Sequence, residues 1–153
     1  MAVNRGTVGG FIQRTRTNLE LIEERYARDS KGHVVTQLVN SLLGIVVYPW
    51  EHQGLDHLKA RQMSTIGLEG WPDEIMKLGE ANTVEEFIHH MRNAVAHGRI
   101  TFSSDSRDLE EVTLTFEDRK DRSKDIDWRV CIHGRHLRQF CTRWMDLIEN
   151  TVD

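Results

Sequence analysis

Two cysteines and two prolines in 153 residues are the first scarcities of this chain. Cys131 and Cys141 fall in a predicted strand and a predicted helix, each beside apolar residues. Buried, reduced thiols are expected there rather than a disulfide framework. So little proline, with 39% hydrophobic and 29% charged residues, excludes a disordered or fibrous chain. No apolar run approaches the roughly 20 residues of a membrane span. The N-terminus lacks the basic, apolar and small-residue order of a secretory signal. A soluble, cytosolic protein without membrane contact is the expectation. Positive charge is also short: the formal net charge is −4, whereas proteins that coat nucleic acid by bulk electrostatics are basic. Any RNA contact must therefore come from a local cluster of cations, and its affinity must be modest and salt-sensitive. An internal repeat, a low-complexity linker, a phosphate-cradling glycine loop and a Ser-His-Asp arrangement are all missing.

What is present reads as one domain spanning residues 1–153, mainly α-helical. Residues 7–29 carry Phe11, Ile12, Leu19, Ile22 and Tyr26 at near-helical spacing, with Arg14, Arg16, Glu20, Glu23 and Glu24 on the wet side. Residues 33–48 are the most apolar segment. Their β-branched residues make a strand conceivable, but sixteen residues without a turn signal favour a buried helix, ended by Pro49. A helix this apolar belongs at a bundle centre or in an oligomer interface. Its polar stripe, Gln37, Asn40 and Ser41, suggests inter-helix hydrogen bonds over a site lining. Residues 50–82 are punctuated by glycines, with short helical patches near 55–63 and 72–79. From residue 99 the period changes. Val112, Leu114 and Phe116, then Trp128, Val130 and Ile132, alternate with polar neighbours as in a hairpin of half-buried strands. Residues 100–102 offer a third short strand. The connection from Glu117 to Asp127 is so densely charged that it reads as an exposed loop. A closing helix after Gly134 has Leu137, Phe140, Cys141, Trp144, Leu147 and Ile148 along one face. The expected architecture is a helical bundle with a small β-hairpin insertion.

The helix before that insertion carries the chemistry. Thr83 and Glu86 form a predicted capping box, and Gly98 suits the left-handed residue that closes the far end. Between them lies Met91-Arg92-Asn93-Ala94-Val95-Ala96-His97-Gly98. Arg92 is a permanent cation with a planar donor fork for phosphate; His97 can give and take protons near neutral pH. Val84, Phe87, Ile88, Met91, Ala94 and Val95 gather on the inward face. Asn93 is one turn from His97, so its amide can orient the imidazole, and His89 extends the row by another turn. Arg92 and His97 lie about 140° apart around an ideal helix. A shared site then needs the length of Arg92, a loosened last turn at Gly98, or a second protomer, and a symmetric dimer would supply both residues in duplicate around one phosphate. The competing reading is structural: an Arg and a His at this spacing occur in many helices, and a His near a C-terminus favourably meets the helix dipole.

Other clusters point less clearly. His133, His136, His89 and His90 lack a carboxylate or Cys at ligand spacing, so no metal is expected. Arg135, His136, Arg138 and Arg143 make the last helix locally basic, either an RNA flank or, preferably, a solvated face balanced by acids. Trp50, Trp71, Trp128 and Trp144 are dispersed as core or interface anchors.

The Arg-x4-His signature at Arg92 and His97 resembles that of HEPN domains, many of which are metal-independent endoribonucleases. The likeness extends to Val35-Thr36-Gln37-Leu38-Val39-Asn40-Ser41-Leu42-Leu43-Gly44 with Pro49-Trp50-Glu51, which resembles the second-helix segment of a plasmid- and phage-associated HEPN nuclease group. That group also runs from Arg-Asn-x3-His through Gly into hairpin-like strands and a closing helix. The resemblance covers roughly residues 7–150. It implies a HEPN-like bundle, usually a homodimer with its site at the interface, acting on RNA with no cofactor. Arg92 would bind and polarise the scissile phosphate. His97 would deprotonate the 2′-hydroxyl or protonate the leaving 5′-oxygen, and Asn93 would orient the His or the substrate. His89, Arg99 and Glu51 are supporting candidates: Glu51 either pairs with Arg92 or is a surface acid, and Arg99 either binds RNA backbone or is a solvated helix-end cation. Arg99 also replaces the Tyr found two residues after the His in HEPN toxins neutralised by nucleotidyltransferases. That antitoxin mechanism is disfavoured, while another antitoxin or regulatory protein stays open as a partner. Defence or toxin-like growth control is the implied role, and a non-catalytic HEPN dimerisation or partner-binding module is the alternative.

Overall fold

Apolar residues recurring at helical spacing create the long elements of this chain. The computed structural model describes residues 5–47, 49, 55–65, 76–120 and 122–152. Helix α1 (Arg5–Asp29) and helix α2 (Val34–Leu42) pack against one another and against α5 (Gly134–Val152). A short α3 (Asp56–Lys59) leads toward α4 (Val84–Ala96). Between α4 and α5 stands an antiparallel sheet formed with β1 (Met76–Leu78), β2 (Ile100–Phe102), β3 (Thr113–Asp118) and β4 (Trp128–His133), in the order β1-β4-β3-β2. The fold is mainly α with a small sheet, as expected, and residues 100–102 do supply a strand. The sheet is nevertheless larger than a hairpin with one added strand. Residues 76–78, placed in a helical patch by their glycine-bounded pattern, pair with β4 instead, Met76 opposite Val130 and Leu78 opposite Arg129. The rest of that patch, residues 72–75, lies outside the described residues.

One apolar cluster joins the layers. Ile12 and Leu19 of α1, Leu38 and Leu42 of α2, Phe87 and Met91 of α4, Leu114 and Phe116 of β3, and Phe140 and Ile148 of α5 all belong to it. Val34, Val35, Leu38, Leu42, Ile45 and Val46 are thus buried within the chain's own core, whereas Leu43 is exposed. That segment is not one α-helix. After Leu42 the backbone widens into a π-turn (Leu43–Val47), where the Ile45 carbonyl accepts a 2.7 Å hydrogen bond from the Trp144 indole. Gly44 permits this turn to lie against α1, since a Cβ there would stand 2.8 Å from the Phe11 ring. Two residues of the polar stripe of α2 bond within their own helix: Ser41 Oγ donates to the Gln37 carbonyl at 2.8 Å. Pro49 is itself in helical backbone, and its two neighbours lie outside the described residues.

The supposedly wet side of α1 also does more than face water. Arg16 reaches Asp146 and Glu149, and Glu23 pairs with Arg138, so ion pairs tie α1 to α5. With Arg135 also beside Glu110, two of the cations that made α5 look basic, Arg135 and Arg138, are balanced by acids. Cys141 is buried and Cys131 half-buried, both free; burial pushes the Cys141 thiol up to about 12. Trp128 and Trp144 are core residues, whereas Trp50 and Trp71 lie outside the described residues. Among the described residues, no helix is long and apolar enough to cross a membrane.

Candidate functional site

Helix α4 is held at both ends by local chemistry written in its sequence. Thr83 Oγ1 accepts from the Glu86 N–H at 3.2 Å, and Glu86 Oε2 accepts in return from the Thr83 N–H at 3.1 Å. The N–H groups of Thr83 and Asn82 hold the Glu86 carboxyl below its ordinary value. A further free N–H of the first turn, that of Val84, is taken by the Arg61 carbonyl. Thr83→Ala should therefore cost about 1 kcal/mol, read as a lowered midpoint in urea. At the far end Gly98 adopts φ +65°. The Arg99 N–H reaches back to the Ala94 carbonyl and the Gly98 N–H to that of Val95, closing the helix as a Schellman motif. His97 consequently sits just beyond the last helical residue, exposed, and Arg99 is folded back toward the sheet.

That return brings a group the charged loop had hidden. Asp118, the last residue of β3, is only 4% exposed. One of its oxygens accepts from Asn93 Nδ2 at 3.0 Å and lies 2.8 Å from His90 Nδ1. The other accepts from Arg99 Nη1 at 3.3 Å and from the Arg119 N–H at 2.8 Å. His90 also stacks on Trp128, with ring centroids 4.9 Å apart and planes 13° from parallel. Burial pushes the Asp118 carboxyl upward most strongly, but the bonds from His90, Asn93 and the Arg119 N–H, with the charge of His90, together hold it below its ordinary 3.8. The ionised form is thus favoured by folding. Its stabilisation is complete above the unfolded value and disappears as pH falls through the lower, folded one. Wild type should therefore lose its stability advantage over Asp118→Asn as pH is lowered below about 4, which denaturant midpoints taken across that range would detect.

The residues singled out from sequence are distributed unevenly by this arrangement. Asn93, His97 and Arg99 line one polar cleft of about 250 Å³ with Asp118, Arg119, Lys120, Arg122, Ser123 and Lys124. His89 lines the adjoining cleft, with His90 and Asp127, and the two share Asn93, Asp118, Arg119 and Lys120. The Asn93 amide nitrogen bonds to Asp118 and lies 3.3 Å from His89 Nε2; it is not turned toward His97. The imidazole of His97 has no hydrogen-bond partner among the described residues. Arg92 is half-buried and engaged, and it does not line the cleft of His97. The reason is helical geometry. His89, Asn93, His97 and His90 fall within about 100° of arc, while Arg92 flanks the buried face on the opposite edge from His90. Glu51 lies outside the described residues. Sequence reasoning missed Asp118, His90 and the cations at 119–124. The signal available was a helix His and a strand-end Asp bordering the same inward face, hidden inside a run of mixed charge.

The cleft sets the His97 imidazole beside five cationic side chains, with its one described acid, Asp118, buried and engaged, an arrangement whose charge suits an anion. No curated protein matches the chain. No solved structure matches it either. A family model does: the one described as HEPN pEK499 p136 matches residues 1–153, and this chain belongs to that HEPN family.

Proposed function

We propose that this protein is an endoribonuclease that cleaves RNA without a metal, by attack of the 2′-hydroxyl on its own neighbouring phosphate. The family makes a nuclease or nucleotide-binding module the general expectation, and one observation carries the finer reading. His97, without a hydrogen-bond partner among the described residues, lines a cleft with Arg99, Arg119, Lys120, Arg122 and Lys124. A phosphodiester drawn to those cations meets an imidazole free to take the 2′-hydroxyl proton or to return one to the 5′-oxygen. Arg92 supplies the planar fork that neutralises charge growing on the phosphate oxygens. Because Arg92 lies outside the cleft of its own chain, it acts from the second subunit of a homodimer. Asn93 gives both amide hydrogens to Asp118 and His89, which leaves its carbonyl oxygen to accept from a substrate hydroxyl. A role in defence or toxin-like growth control follows the family resemblance, with an antitoxin or regulatory protein as a further partner.

A non-catalytic HEPN module, dimerising or binding a partner, is the second reading. It is favoured by the same displacement of Arg92 from His97 if no second subunit closes the gap. The purified chain separates the two when incubated with end-labelled RNA in excess EDTA. The enzyme reading expects fragments with 2′,3′-cyclic phosphate (or its hydrolysed form) and 5′-hydroxyl ends, and no cut at a linkage whose 2′-hydroxyl is replaced by hydrogen. Intact RNA, or cleavage that also proceeds at deoxy linkages, refutes it.

A further inference from the structure

We infer that the described residues of the β3–β4 connection, 119–120 and 122–127, form a substrate-binding arm that holds single-stranded RNA by its phosphates across the face of His97. This rests on the ribonuclease reading and adds the element that seizes the strand. In sequence, residues 118–127 are electrically balanced, four acids against four cations. Among the described residues, that balance is broken in space. Arg119, Lys120, Arg122 and Lys124 all line the cleft, whereas among the described acids only Asp118 does, and its charge is engaged by His90, Asn93, Arg99 and the Arg119 N–H.

A second feature separates the four cations of the arm from the paired arginines of the surface. Arg16, Arg25, Arg129, Arg135 and Arg138 each pair with a carboxylate. Arg119, Lys120, Arg122 and Lys124 make no ion pair among the described residues, although acids lie close to them in the chain. Unpaired cations converging on one cleft, in a chain of net charge −4, complement a polyanion, and the charge spacing of a nucleic-acid backbone satisfies several of them together. Local bonds hold several of the arm's described residues. Arg122 turns it with φ +63°, the Ser123 N–H donates to the Lys120 carbonyl at 3.0 Å, and Ser123 Oγ accepts from the Asp125 N–H at 3.1 Å.

The adjoining cleft of about 320 Å³ explains the preference for a single strand. It is lined by the exposed His89 ring and by Asp127. A base turned out of a strand can stack on that ring and donate an exocyclic amine to the Asp127 carboxylate; a base within a duplex cannot.

The test is binding, with cleavage removed by the substrate. Wild type, Arg119→Gln/Lys120→Gln/Arg122→Gln/Lys124→Gln, and a distant control, Arg28→Gln/Lys31→Gln, are titrated with a short, uncleavable 2′-O-methyl RNA. All six side chains are exposed, so thermal midpoints should stay together and confirm folding. Three or four phosphate contacts predict that wild-type affinity falls roughly 20- to 50-fold between 50 and 200 mM salt. The quadruple variant should lose at least about 20-fold in affinity at low salt and most of that salt dependence, while the control binds as wild type. Equal binding by wild type and the quadruple variant overturns the arm. So does displacement of the RNA by polyglutamate at equal charge, which would mark an acidic protein as the true occupant. If the wild type cuts RNA but the quadruple variant cuts and binds equally well, the arm fails and the nuclease stands. If binding is lost as predicted while the wild type cuts nothing, the arm stands and the nuclease reading fails.

Discussion

His97→Ala is expected to slow RNA cleavage by about 100- to 10,000-fold, with dimerisation and thermal midpoint unchanged. The imidazole lies beyond the last helical residue, is exposed, and holds no hydrogen bond among the described residues, so its removal costs the fold little. That independence makes the kinetic loss interpretable as lost proton transfer. Arg92 is different because it is half-buried and engaged within the protein. Arg92→Ala should lower the rate by a comparable factor, about 100- to 1,000-fold, but carries a stability cost of its own. Arg92→Lys separates the two contributions. Lysine keeps the charge and the aliphatic stem but loses the bidentate fork, so a folded, dimeric, slow Arg92→Lys enzyme identifies the fork as the functional part. Measurement is by initial cleavage rates in EDTA beside size-exclusion profiles of each variant.

The largest expected stability effect lies beneath the site. Phe87 is fully buried on the inward face of α4 and meets two rings edge-on, Trp128 of β4 at 5.8 Å and Phe140 of α5 at 5.5 Å. It joins the site helix to both the sheet and the closing helix. Phe87→Ala should cost about 3–5 kcal/mol, which in a chain of this size corresponds to a fall of roughly 6–20 °C in thermal midpoint. Phe102, with 48% of its surface exposed at the end of β2, provides the comparison. Its replacement by Ala should stay within about 0.5 kcal/mol of wild type. Because the Trp128 ring also supports His90, Phe87→Ala is expected to loosen the His90–Asp118 contact even in molecules that remain folded.

Sequence patterns revealed the elements whose signals are local. The boundaries of α4 follow from Thr83, Glu86 and Gly98, because caps are formed by residues within a turn of one another. The buried face of α5 follows from spacing alone, and all six of its proposed core residues are buried. Alternation placed β3 and β4. The structure departs from these expectations where distant segments decide. The pairing of Met76–Leu78 with β4 is set by a sheet edge more than fifty residues away, which overrides the local punctuation. The π-turn after Leu42 is favoured by a carbonyl offered to Trp144, a residue 99 positions distant. Asp118 is the most instructive case. Its neighbours in the chain are charged and wet, so composition made it a loop residue. The register of β3 against β4 and the edge of α4 bury it against His90 and Asn93, 28 and 25 positions earlier. The cleft cations emerge the same way, since only the turned connection gathers Arg119, Lys120, Arg122 and Lys124 beside His97 and Arg99.

The central claim is that Arg92 of one subunit and His97 of the other serve a single RNA linkage. Mixing two inactive proteins tests it most directly. Arg92→Lys and His97→Ala are purified, combined, dissociated and allowed to re-pair, and cleavage in EDTA is followed. Exchange gives a mixed dimer that again holds one guanidinium fork and one imidazole across the interface, so cleavage should reappear, in proportion to the mixed species. If the mixed dimer forms and RNA remains intact while wild type treated identically cuts it, the two groups do not meet between subunits.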